Sequence, residues 1–89
     1  MEFEWDEAKR QVNLAKHGLD FADLARFDWS AMMIERDSRF DYGEARFIAV
    51  GKTEGRVLAV AFTLRGNVLR IVSFRPASRR ERRRYGPQE

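Results

Sequence analysis

The chain has no cysteine, a single histidine and two prolines in 89 residues. No apolar run approaches the roughly 20 residues that span a bilayer. The missing cysteine excludes disulfides and thiolate metal sites. One histidine leaves carboxylates as the remaining metal ligands, and neither an EF-hand loop nor an HExxH pattern is present. Asp37, Asp41 and Glu44 can in principle gather around magnesium, although they also read as an ordinary solvated loop. There is no GxGxxG, P-loop or GxSxG motif, so nucleotide-cofactor and serine-hydrolase chemistry have no sequence basis. We expect no metal and no cofactor. The opening MEFEWDEAKR lacks the basic-then-apolar layout of a signal peptide. The expectation is a soluble cytoplasmic protein without a membrane partner.

What is present is charge, unevenly spread. Arg65 to Glu89 holds eight basic residues against two acids (+6), and the first 64 residues hold nine against twelve (−3), together the net +3. All the excess positive charge therefore lies in the last third, which points to a polyanionic partner. With 44% hydrophobic and 12% aromatic residues the chain can close one small core, a single domain over 1–89.

Phe3 and Trp5 alternate with Glu2 and Glu4, an edge-strand pattern. Asp6 is placed to cap a helix running to Lys16 and His17, and Gly18 to end it in the left-handed conformation. Asp20 caps a predicted second helix that buries Phe21, Leu24, Ala25 and Phe27. Strands are predicted over 31–35, 46–51, 56–64 and 68–74, with hairpin turns at 52–55 and Gly66-Asn67. The 56–64 strand is apolar on both faces, so it belongs at the sheet centre. Pro76 stops the last strand, and Ser78 caps a short basic helix over 79–85. The predicted class is α+β: two N-terminal helices on a curved antiparallel sheet, with a short basic C-terminal helix.

In such a meander Arg46 falls near Arg65, while Arg75 lies towards Arg56 and the 52–55 turn. Regular alternation sends Arg70 and Arg75 to opposite faces. In the final helix Arg79, Arg82 and Arg83 share one side, Arg80 and Arg84 an adjacent one, and Glu81 can partly neutralise Arg84. A solvated, solubilising helix is the plain reading of this run. Phosphate binding is the functional one, because guanidinium offers bidentate donors. Tyr85, Phe74 and Trp5 are candidate stacking platforms or ordinary core residues. His17, the single histidine, serves either as a helix-end cation or as a proton-transfer group. Lys16 shares those alternatives. Together these residues suit metal-free RNA cleavage, in which the 2′-hydroxyl attacks the adjacent phosphorus and the protein supplies a base, an acid and cations. The main rival is a non-catalytic nucleic-acid-binding module using 6–28 as a helix–turn–helix, and a protein-interaction module is a third reading.

The pattern F-x-W-D-x-x-K-x-x-x-N-x-x-K-H-G (Phe3 to Gly18) is followed by G-x-x-x-G-R-V-L-x-V (Gly51 to Val60). R-I-V-S-F-R-x-A-x-x-x-E-R-x-x-Y (Arg70 to Tyr85) completes it. In these motifs the chain resembles the BrnT family of toxins. The resemblance implies a RelE-like ribonuclease fold and inhibition of translation by RNA cleavage. It also implies a BrnA-like antitoxin, and a toxin homodimer held within a toxin–antitoxin heterotetramer. The family's strand-end arginines carry over to Arg65 and Arg75, its lysine–histidine to Lys16 and His17, and its last helix matches at Glu81, Arg82 and Tyr85. The expected catalytic set is His17, Arg65, Arg75, Arg79 and Tyr85, with Lys16, Arg46, Arg80, Arg82 and Arg83 binding RNA.

Overall fold

The computed structural model describes residues 2–39, 41 and 43–86. After strand β1 (Glu2–Trp5), the Asp6 carboxylate accepts from the amides of Ala8 and Lys9 at 2.8 and 3.2 Å and so starts helix α1 (Glu7–His17). Gly18 ends it at φ 70°, donating to the Leu14 carbonyl. Asp20 caps the next element as expected, but that element is a 3₁₀ turn (Phe21–Arg26) rather than an α-helix. Phe21 and Leu24 are both wholly buried, and a three-residue repeat points them the same way. A second 3₁₀ turn (Trp29–Ala31) precedes strand β2 (Met33–Asp37), which therefore starts two residues later than predicted.

Strands β3 (Arg46–Thr53), β4 (Arg56–Arg65) and β5 (Val68–Pro76) follow, and α2 (Arg79–Tyr85) ends the described chain. Thr53 pairs directly with Arg56, leaving Glu54 and Gly55 at φ 49° and 77°, the signature of a tight hairpin turn with both central residues left-handed. The sheet order is β1-β5-β4-β3-β2. It is mixed, not antiparallel throughout, because β1 joins the far edge parallel to β5, with Trp5 beside Ile71.

β4 is central, and its alternation divides the core in two. Leu58, Val60 and Phe62 join Phe21, Leu24, Ile71 and Phe74 under α1 and the first 3₁₀ turn. On the other face Ala59 joins Val50 and Ala77, with Val57 and Tyr85 at the margin, beneath α2. The helices thus lie on both faces of the sheet, not on one. A bulge in β5 sets what each face displays: Ile71 pairs with Phe62 and Ser73 with Ala61, leaving Val72 as the extra residue. Leu69, Ile71 and Phe74 consequently share the α1 face, and Arg70 and Arg75 share the α2 face, where unbroken alternation separates them.

Candidate nucleic-acid interface

The α2 face carries most of the chain's strand arginines. Arg46 and Arg70 both pair with Thr63, Arg65 lies two residues further along β4, and Arg75 sits opposite Ala59. Six residue steps of β4 separate the two ends, so Arg65 and Arg75 are about 20 Å apart along the sheet. They do not converge on one phosphate.

At the Arg65 end, acids answer the arginines. Glu44 accepts from Arg65 at 3.0 Å and Glu4 lies 3.4 Å from Arg70. The Arg65 hydrogen bond holds the Glu44 carboxyl below its usual range, and Glu44 in turn raises the Arg65 guanidinium.

At the other end, Glu81 accepts two hydrogen bonds from Arg75, at 2.7 and 3.0 Å. The same carboxylate accepts from the Ser78 amide at 2.8 Å while the Ser78 hydroxyl accepts from the Glu81 amide at 3.1 Å, a complete capping box. The Arg75 bonds, aided by Ser78 and opposed by burial, bring the Glu81 pKa down to about 2. Glu81 was expected to pair with Arg84. Instead Arg84 reaches across to Glu35 on β2, and Glu81 turns in to the sheet. One carboxylate therefore both starts α2 and orients Arg75.

Arg82 donates to the Ala77 carbonyl at 3.2 Å. Among the described residues, Arg79, Arg80 and Arg83 have no acidic partner within salt-bridge distance. Arg80 and Arg84 line a groove of about 250 Å³ against Glu35, Arg36 and Asp37.

α1 brings a further pair to this end. Its start follows Trp5, beside Ile71, and Asn13 is hydrogen-bonded to Phe74, so the helix runs along β5 in the same sense. His17 stands one turn beyond Asn13, about 6 Å further on, towards the Arg75–Pro76 end. Lys16 is exposed there and His17 half-buried. Tyr85 lies one turn along α2 from Glu81, and its hydroxyl reaches the Ala31 carbonyl at 3.5 Å.

The expected site residues therefore separate into groups. Arg75 and the start of α2 with Arg79 and Arg82 lie at one end of the sheet, towards which Lys16 and His17 extend; Arg46 and Arg65 lie at the other. Arg80 faces the β2 groove beside Asp37, the strand partner of Arg46, Arg83 lies further along α2, and Tyr85 sits on the β2 side of that helix. Phe74 is 1% exposed and is a core residue, not a stacking platform. Trp5 packs edge-on to Phe21. The helix–turn–helix reading fails, because its second element is a six-residue 3₁₀ turn with Phe21 and Leu24 buried. The candidate magnesium ligands are engaged elsewhere: Asp37 accepts from Arg39, Asp41 from the Gly43 amide and Glu44 from Arg65. Sequence reasoning left the structural roles of two residues unread. Asn13 gave no signal beyond its place in a motif, whereas Glu81 was readable as the fourth residue of the Ser78 capping box.

These features define a small α+β protein with a guanidinium-rich sheet face suited to a polyanion. Residues 5–81 match the family model described as "Ribonuclease toxin, BrnT, of type II toxin-antitoxin system". Among solved structures, the chain is similar to the 1.1 Å crystal structure of the Brucella abortus ribonuclease toxin BrnT. Identity is 40% and the TM-score 0.73, covering 89% of this chain and 99% of that one. No curated protein matches. The chain belongs to the BrnT family of type II ribonuclease toxins. None of its described helices is long and apolar enough to cross a membrane.

Proposed function

We propose that this protein is a metal-independent endoribonuclease that cleaves RNA through attack of the 2′-hydroxyl and thereby inhibits translation. The observation that carries the reading is the Arg75 end of β5. A buttressed guanidinium there precedes a helix start bearing acid-free arginines, and α1 runs along β5 towards the same end with Lys16 and His17 in its last turn.

Arg75 meets the scissile phosphate. Glu81 takes one N–H from each terminal nitrogen of its guanidinium, which leaves Nε–H among the remaining donors for phosphate oxygens. Arg79 shares the charge that builds on the phosphorane. His17 moves the proton at the 2′-oxygen or the leaving 5′-oxygen. Arg80, Arg82, Arg83 and Lys16 hold neighbouring phosphates. Arg65, about 20 Å away along the sheet, and Arg46, paired with Thr63, serve a more distant part of the strand rather than the reaction. Tyr85 braces α2 against Ala31. An antitoxin protein of the BrnA type neutralises the toxin, two toxin chains being held by an antitoxin dimer in the cytoplasm.

Incubation of a defined transcript with purified protein and excess chelator tests the chemistry. Cleavage should persist and leave a 2′,3′-cyclic phosphate, and a single 2′-deoxy substitution at the cut should abolish it. Loss of cleavage on chelation, or cutting at the deoxy position, would refute the mechanism.

A further inference from the structure

One row of side chains crosses the whole sheet on its α2 face. From β1 to β2 it runs Glu4, Arg70, Thr63, Arg46 and Asp37, each the register partner of the next. An acid stands at each edge, an arginine inside it and a hydroxyl at the centre. Thr63 is the anomaly in this row. It is 2% exposed, and its hydroxyl finds no hydrogen-bond partner among the described residues. A buried hydroxyl left in that state costs stability, and valine would fill the place with no polar group to satisfy. Both of its neighbours along the row end in guanidinium groups, which donate and cannot accept. The hydroxyl proton therefore has no acceptor on either side.

The electrostatics of this place already favour an anion. The Glu44 carboxyl lies below its usual range, held there first by the Arg65 hydrogen bond and then by the charges of Arg65, Arg46 and Arg70. Three guanidinium groups thus come close enough to act on one carboxylate. Arg39, Arg46, Arg65 and Arg70 also outnumber Glu4, Asp37 and Glu44 around them.

We propose that Arg46, Thr63 and Arg70 form a phosphate subsite that holds the RNA backbone a few nucleotides from the cut. One phosphate oxygen accepts from the Thr63 hydroxyl. The other oxygens accept from the guanidinium groups on either side, which part to admit the ligand. That the phosphate belongs to RNA rests on the function proposed above, whereas the anion subsite does not. The strand is the source that fits the layout, because the row shares its sheet face with Arg75 and α2. Arg75 sits opposite Ala59, about 13 Å along β4 from Thr63.

Thr63→Val tests the proposal, because a hydroxyl that only packs and one that binds phosphate give opposite results. The melting temperature should equal or exceed that of the wild type, since an unmet polar group is removed. Affinity for a transcript with a single 2′-deoxy substitution at its cut should fall about tenfold, with the salt dependence unchanged because no charge is lost. Thr63→Ser keeps the hydroxyl and should bind within about twofold of wild type. Arg70→Ala should weaken binding and also lower the slope of log affinity against log salt by about 0.7. Replacing single phosphates by neutral methylphosphonates should reveal one position that weakens wild-type binding and leaves Thr63→Val binding unaffected. Thr63→Val affinity within twofold of wild type would overturn the subsite, and a Thr63→Ser loss equal to that of Thr63→Val would do the same by assigning the effect to packing. Inorganic phosphate that shifts the Thr63 methyl resonance without competing with RNA would overturn the strand assignment in favour of a free anion. Retained RNA affinity with lost affinity for the purified antitoxin would place a protein carboxylate on the row and refute the proposal. If Thr63→Val loses RNA affinity but the wild type cuts no RNA, the ribonuclease mechanism fails and the subsite stands.

Discussion

The side-chain amide of Asn13 completes the backbone edge of Phe74. Its oxygen accepts from the Phe74 amide at 3.1 Å, and its nitrogen donates to the Phe74 carbonyl at 2.7 Å and to the Leu19 carbonyl at 3.0 Å. β1 stops at Trp5, beside Ile71, so β5 has no strand neighbour at Phe74 on that side. Asn13 substitutes for one and fixes α1 against the sheet. Asn13→Ala strands buried backbone groups, each costing about 1–3 kcal/mol, so a loss of about 3 kcal/mol is expected. Asn13→Asp keeps the acceptor but sets a charge against two carbonyls, and should cost at least as much. Urea midpoints of the three proteins check this, and a loss under about 1 kcal/mol for both variants would contradict it.

Stability should fall in acid through two carboxylates. Glu81 sits at about 2 in the folded protein against an ordinary 4.5, and Asp20, bonded by Arg10 and by the Ala22 amide, at about 2 against 3.8. Both folded values are depressed. Their contribution is thus fully present above about pH 4.5 and is lost as pH falls towards 2. Glu81→Gln retains the capping geometry and removes the ion pair, so it should lower stability at pH 7 by about 1 kcal/mol and flatten the decline between pH 4.5 and 2. Thermal melts of wild type and variant across that range provide the check. Parallel curves would show that Glu81 does not titrate in this window.

Much of this architecture was readable because local chemistry determines it. Asp6, Gly18 and Ser78 sit at helix ends for hydrogen-bonding and φ reasons that need no tertiary knowledge. The two-faced apolar pattern of β4 placed it at the centre. The failures arose where tertiary pairing decides. No local signal says that β1 joins β5 in parallel. The bulge was legible in retrospect, since Leu69, Ile71 and Phe74 step by two and then by three. Overlooking that step sent Arg70 and Arg75 to opposite faces, when the extra residue returns them to one. The separation of Arg65 from Arg75 could not be seen in a charge count, because both are strand-end arginines at opposite ends of the same sheet.

Gly51 is small for a steric reason. A Cβ there would meet the Met32 side chain, with Cγ at 2.8 Å and Cε at 3.1 Å. Gly51→Ala should therefore cost about 1 kcal/mol, the low end for overpacking, since methionine can rearrange. Pairing it with Met32→Ala should recover part of that loss, a coupling that a double-mutant cycle on denaturation midpoints measures. Additive effects would show that the two side chains do not compete for the space.

The division of the arginines into an acid-free helix group and an oriented Arg75 predicts different kinetic signatures. Under the proposed function Arg80 and Arg83 are phosphate contacts, so Arg80→Ala and Arg83→Ala should each lower the slope of log affinity against log salt by about 0.7 on single-stranded RNA, uniformly across sequences. Arg65 already spends donors on Glu44 at 3.0 Å, and Arg65→Ala should change the slope less. In the proposed mechanism Arg75 is a positioned donor to developing charge, so Arg75→Ala should slow single-turnover cleavage by about a hundredfold or more while affinity changes little. Glu81→Ala, which frees Arg75 to wander, should slow cleavage too, whereas Glu81→Gln should restore part of the rate by keeping one acceptor. Anisotropy titrations across salt, followed by cleavage under saturating enzyme, separate grip from chemistry. Equal rate losses for Arg65→Ala and Arg75→Ala would place the reaction between the two ends of the sheet, and would contradict a site built at the Arg75 end.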